Sequence, residues 1–142
     1  MKILVAILLV CSALAGQSRV DLTKKYGAAA SETFKARPGI SVTATYGPTG
    51  GITELLIAPE STGLIRSKRN QRLSKDLATQ IINELVSASQ RGKFVMSTFM
   101  NIMCLPENDC GGTSDDYEKL TVYFNTTDKA DIINYAVVQW KK

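Results

Sequence analysis

Ile40-Ser-Val-Thr-Ala-Thr-Tyr46, Gly47-Pro-Thr-Gly-Gly51 and Ile52-Thr-Glu-Leu-Leu-Ile-Ala58 form the stretch on which the fold turns. Ile40, Val42, Ala44 and Tyr46 alternate with Ser41, Thr43 and Thr45, a strict period of two with one apolar face. Gly47 to Gly51 collects the glycine and proline that a chain reversal needs. Ile52 to Ala58 returns as a second, more apolar strand, which Pro59 closes. Together they predict a β-hairpin.

Downstream, residues 60–72 are a polar linker rich in basic groups. Leu73, Leu77, Ala78, Ile81, Ile82, Leu85 and Val86 then recur at the spacing of an amphipathic helix facing a core, with Arg91 and Gly92 as stop signals. Phe94 to Met103 fits neither period well. Phe94, Val95, Thr98, Phe99, Ile102 and Met103 make a fair helical face, so an irregular buried segment with some helix is expected. Lys119 to Asn125 alternates as a strand, Thr126 to Asp131 turns, and Ile133 to Lys141 is the last strand. Upstream, Asp21 is a plausible N-cap for a short helix over Val20, Leu22 and Tyr26 that Gly27 ends. A further element from Ser31 to Ala36 stops at Arg37-Pro38-Gly39. This order predicts an α+β domain. Its antiparallel sheet is built from two β-hairpins, with one long amphipathic helix packed on it and a short N-terminal helix.

The N-terminus carries an address. Lys2 precedes an unbroken apolar run from Ile3 to Val10, followed by small residues and Ala13-Leu14-Ala15. That is the layout of a secretory signal, and the run is well short of the roughly 20 apolar residues a bilayer span needs. The expectation is a cleaved signal peptide over residues 1–15 and a single domain over 16–142, exported to the periplasm or the extracellular space. No transmembrane segment is expected in the mature chain. A lipid-anchor reading of Cys11 is disfavoured by the branched Val10 before it.

Cleavage removes Cys11 and leaves Cys104 and Cys110. In an oxidising compartment these two are expected to form a disulfide, worth on the order of 2 kcal/mol in the chain-entropy model. Two cysteines without histidine cannot complete a four-ligand zinc site, and their spacing is not that of a Cys-x-x-Cys redox pair. The 142-residue chain has no histidine, which excludes Ser-His-Asp and Cys-His catalysis and histidine-ligated metals. An excess of 17 Lys and Arg over 13 Asp and Glu is too small to imply nucleic acid. No cofactor is expected.

Two charged clusters stand out. Arg66, Lys68, Arg69, Arg72 and Lys75 gather before the helix, where positive charge opposes the macrodipole. They are a candidate site for an anion or a partner; the plainer reading is a solvated linker. Glu107, Asp109, Asp115, Asp116 and Glu118 surround Gly111-Gly112 and are a candidate cation site of carboxylate oxygens, although they match no regular calcium loop. An ordinary acidic loop, or one facing the basic linker, are the alternatives. The crowding of these acids in one loop argues against a glycosidase pair. Asn125-Thr126-Thr127 fits an N-glycosylation pattern on an expected hairpin turn, and Tyr135 and Trp140 are expected in the core or on the sheet face.

Tyr26-Gly27, Ser31-Glu-Thr-Phe34, Arg37-Pro-Gly-Ile-Ser-Val-Thr-Ala-Thr-Tyr-Gly47, Glu84-Leu-Val86, Ser89-Gln-Arg-Gly-Lys93 and Asp116-Tyr-Glu118 carry a resemblance over most of the mature chain. It resembles a group of short, exported, functionally uncharacterised bacterial proteins. The resemblance implies export and one compact domain, and no activity. The hairpin-helix-strand order is also similar to small periplasmic modules such as the C-terminal domain of energy transducers, a likeness of fold alone. The functional expectation is an exported binding protein of the envelope or extracellular space. Its partner would be another protein or an anionic surface component. The alternative is a small hydrolase or cation-binding protein using the acidic loop.

Overall fold

The computed structural model describes residues 23–25, 27, 28, 30–60, 73–101, 111–127 and 131–142. Its strands are β1 (Ser31–Arg37), β2 (Ile40–Tyr46), β3 (Ile52–Pro59), β4 (Leu73–Ser74), β5 (Phe94–Asn101), β6 (Gly111–Tyr117), β7 (Leu120–Thr126) and β8 (Ile132–Trp140). Two helices, α1 (Lys75–Leu85) and α2 (Ala88–Arg91), lie between β4 and β5. All strands join one antiparallel sheet in the order β1-β2-β3-β8-β7-β6-β5, with β4 paired to β8.

The predicted hairpin is β2–β3, paired from Ile40 opposite Pro59 to Tyr46 opposite Ile52, with a register shift between Thr45 and Tyr46. It is extended by β1 through the turn Arg37-Pro38-Gly39-Ile40, in which Gly39 has φ +75°. Proline followed by a glycine in the left-handed region is the signature of a type II turn. A second meander, β5 to β8, lies beside the first, and β3 and β8 join them from Glu54 opposite Gln139 to Ile57 opposite Ala136. β4 occupies the other end of the same β8 edge, Leu73 opposite Ile133.

One face of this sheet forms the core. Val42 and Ala44 of β2, Leu55 and Ile57 of β3, Leu120, Val122 and Phe124 of β7, and Ile133, Ala136 and Val138 of β8 are buried in one cluster. Ala78, Ile81 and Ile82 of α1 and Val86 after it complete that cluster. Ile133 and Ala136 share the face despite odd spacing because the β7–β8 register shifts between Asn125 and Thr126.

The α+β expectation is overturned. The protein is a mostly antiparallel β structure, with 58% of its described residues in strands. The helical periodicity was local and the pairing was not. The predicted long helix is an 11-residue element, and Leu73 enters the core from a strand instead. An 11-residue helix is about 16 Å long, whereas seven strands side by side span about 29 Å, so α1 is too short to cover the sheet, although Glu84 near its end pairs with Arg37 of β1 and Lys75 at its start reaches Thr113 of β6. The segment Phe94 to Asn101, expected to be irregular, buried and partly helical, is the edge strand β5. Gly111 to Tyr117, expected to be loop, is the internal strand β6. Ser31–Arg37 is the other edge. Of the short N-terminal helix, residues 23–25 are helical, and the Gly27 N–H donates to the Thr23 carbonyl at 2.9 Å.

Candidate functional site

Of the basic cluster, Arg66, Lys68, Arg69 and Arg72 lie outside the described residues, as do Cys104, Cys110, Glu107 and Asp109. Lys75 is described, and it turns onto the sheet. Its Nζ lies 4.8 Å from the centroid of Phe124 and 3.4 Å from the Thr113 Oγ1. A cation held over an aromatic face is worth about 0.5–1 kcal/mol, more when desolvated. Its place at the first turn of α1 is tolerated because the Ser74 Oγ accepts from the Leu77 N–H at 3.1 Å and Asp76 puts an acid in the same turn.

The three described acids of the second cluster are dispersed. Asp115 and Asp116 are consecutive residues of a strand and so project from opposite faces. Asp115 accepts from the Ser97 hydroxyl, on the face that Val122 shares. Asp116 pairs on the other face with the Lys141 Nζ at 2.8 Å and accepts from the Thr121 hydroxyl at 2.8 Å. These partners, the Lys141 hydrogen bond foremost, hold its carboxyl below the usual aspartate value. Glu118 accepts from the Lys93 N–H at 3.0 Å. Among the described residues no three metal-ligating side chains come together. Asn125 and Thr126, expected on a turn, are 7% and 5% exposed at the end of β7, and the Asn125 Oδ1 accepts from the Asn134 Nδ2 at 2.7 Å. Trp140 packs at the margin of the core, and Tyr135 lies 6.4 Å from the Tyr123 ring.

Ile52, Leu55, Leu85, Gln90 and Trp140 line a shallow, open groove of about 280 Å³ where β3, the end of α1 and the end of β8 meet. These five side chains bring apolar surface and one amide, with no acid, base or nucleophile.

Among the described residues, the largest group of exposed apolar side chains lies on β5. Phe94, Val95, Met96 and Phe99 are each more than half exposed, Phe99 the most at 63%. The register places Phe99 beside Thr113 and then Phe124, on the core face, yet it is left exposed there. Phe94 stands edge-on to Tyr117, with ring centroids 5.6 Å apart. Met96 is paired with Asp116 and lies on the opposite face. Val95 is the extra residue of a bulge between Phe94 and Met96. β5 therefore shows apolar groups on both sides of the sheet, and among the described residues β6 is its one strand neighbour.

Sequence reasoning missed this surface. Alternation marks a strand when one face is wet and the other buried, and β5 has neither arrangement. The available signal was the absence of charge from Phe94 to Met103 between Lys93 and Glu107.

No family model, no curated protein and no solved structure matches this chain. Among the described residues no helix is long and apolar enough to cross a membrane.

Proposed function

We propose that this chain is an exported, non-catalytic interaction protein that docks a partner along the uncovered β5 edge. The observation that carries this reading is the edge strand itself. Phe94, Val95, Met96 and Phe99 are exposed on a strand that has one neighbour among the described residues. Proteins usually blunt such an edge with charge, proline or a covering element, because its unpaired N–H and C=O groups template another strand. An edge left apolar is a docking surface. The export half of the proposal rests on the Lys2 to Ala15 pattern. The described acids do not converge on a cleft, which favours binding over the hydrolase alternative.

The test is light crosslinking and co-purification from envelope and medium, using full-length precursor with a C-terminal tag. Wild type and Phe99→Ser are compared. A partner recovered with wild type and at least tenfold depleted with Phe99→Ser supports docking through β5. A partner recovered equally with both places the binding elsewhere and overturns the reading.

A further inference from the structure

Resting on that reading of β5, we propose that its partner is a second copy of this chain. The two β5 strands pair antiparallel about a two-fold axis at Thr98, joining two sheets into one.

Three observations select this occupant. The first is charge. Phe94-Val-Met-Ser-Thr-Phe-Met-Asn101 contains no charged residue, so the strand meets its own copy with no like charges opposed. The other edge, β1, carries Glu32, Lys35 and Arg37. Laying it along β5 would set those charges against an apolar strand, so head-to-tail growth is disfavoured and a closed pair remains.

The second observation is that the exposed groups lie on both faces of β5: Phe94 and Phe99 on the side of the core, Met96 on the other. A helix or a flat protein surface would cover one face. An added strand with its own alternating side chains covers both.

The third is register. A two-fold axis perpendicular to the sheet returns each face to itself, so only pairings that leave one residue opposite its own copy are allowed. Val95 is bulged, which confines a regular ladder to Met96 and beyond. Centring on Thr98 sets Ser97 opposite Phe99 and Met96 opposite Met100, and keeps both Met96 and Phe99 within the ladder. The two Thr98 side chains then meet on the axis, where cross-strand threonines stabilise a pair. Two strands of this length bury on the order of 1,000 Å² in total, at the low end of specific interfaces. An interface of this size belongs to the weak, reversible class.

Sedimentation equilibrium tests this on wild type, Thr98→Lys, Thr98→Glu and an equimolar mixture of the two variants, all produced from the full-length sequence. Thr98 is exposed, so both variants keep the wild-type urea midpoint at protein concentrations low enough for wild type to be monomeric. A monomer–dimer equilibrium is expected for wild type. It should weaken at least tenfold in each variant, where like charges face each other on the axis, and return in the mixture, where opposite charges do. A wild type that stays monomeric to about 500 μM overturns the proposal. So does a dimer unaffected by either variant, or a mixture that fails to recover. If wild type is monomeric yet still captures an envelope partner in a Phe99-dependent manner, self-pairing is overturned and docking through β5 stands. Loss of both overturns both.

Discussion

A Cβ placed on Gly112 would lie 2.6 Å from the Phe124 carbonyl oxygen and 2.5 Å from the Tyr123 ring. The ring can swing aside, but the carbonyl belongs to the neighbouring strand and cannot. Gly112→Ala should therefore destabilise the protein by about 1–3 kcal/mol, read as a lower urea midpoint with an unchanged slope. Arg91 is tied as closely. Its guanidinium donates to the Val86 carbonyl at 2.7 Å and to the Ile82 carbonyl at 3.2 Å, satisfying acceptors at and just past the end of α1. Charged hydrogen bonds are worth about 1.5–3 kcal/mol, so Arg91→Met should cost that much in chemical denaturation, and Arg91→Lys less. Asp116 gives a pH-dependent prediction. Its carboxyl sits below the ordinary 3.8 because Lys141 and Thr121 favour the charged form. A lowered carboxylate contributes stability that is fully present above the unfolded value and is lost as pH falls through the folded one. Lys141→Met should raise the Asp116 titration midpoint in NMR, and the stability difference between the two proteins should shrink below about pH 4. Gly112 and Arg91 were visible in the sequence only as a loop glycine and a helix stop signal. The close neighbours of Gly112 arrive from β7, and Arg91 folds back across the α1–α2 turn onto carbonyls of Ile82 and Val86, geometry that local reading does not supply.

The helix α1 was legible because its signal is local. Ala78, Ile81 and Ile82 carry the 3.6-residue period whatever they pack against, and Ser74 caps the first turn. Ser74→Ala should cost about 1 kcal/mol of stability in thermal or urea unfolding, because the Leu77 N–H loses its acceptor. The β2–β3 hairpin was legible for the same reason, since its alternation and turn lie in one continuous stretch. β6 was not. Gly111-Gly-Thr-Ser-Asp-Asp-Tyr117 is rich in residues that strands disfavour, yet it is held extended by β5 on one side and β7 on the other. β5 was misread because its apolar groups lie on both faces, which blurs the period of two. The described members of the charge clusters do not come together, by the same physics: consecutive strand residues separate Asp115 from Asp116, and Lys75 is engaged by the ring of Phe124.

Strand order governs how stability is distributed across the sheet. Among the described residues, β8 is flanked by β7 along most of its length, and by β3 and β4 on its other edge, while β1 and β5 each have one neighbour. Native-state hydrogen exchange should therefore find the slowest amides in β7 and β8 and the fastest strand amides in β1 and β5. Equal protection throughout would contradict this order. In the self-paired form, β5 amides should gain protection as protein concentration rises. By itself the sequence determined the β2–β3 hairpin, the amphipathic stripe of α1, the β7 and β8 strands and the absence of histidine chemistry, because each is written in neighbouring residues. Only the tertiary structure decided that two meanders join through β3 and β8, that α1 is too short to cover the sheet, and that β5 is left at its edge. Those outcomes depend on contacts between segments far apart in the chain, for which periodicity and composition carry no information.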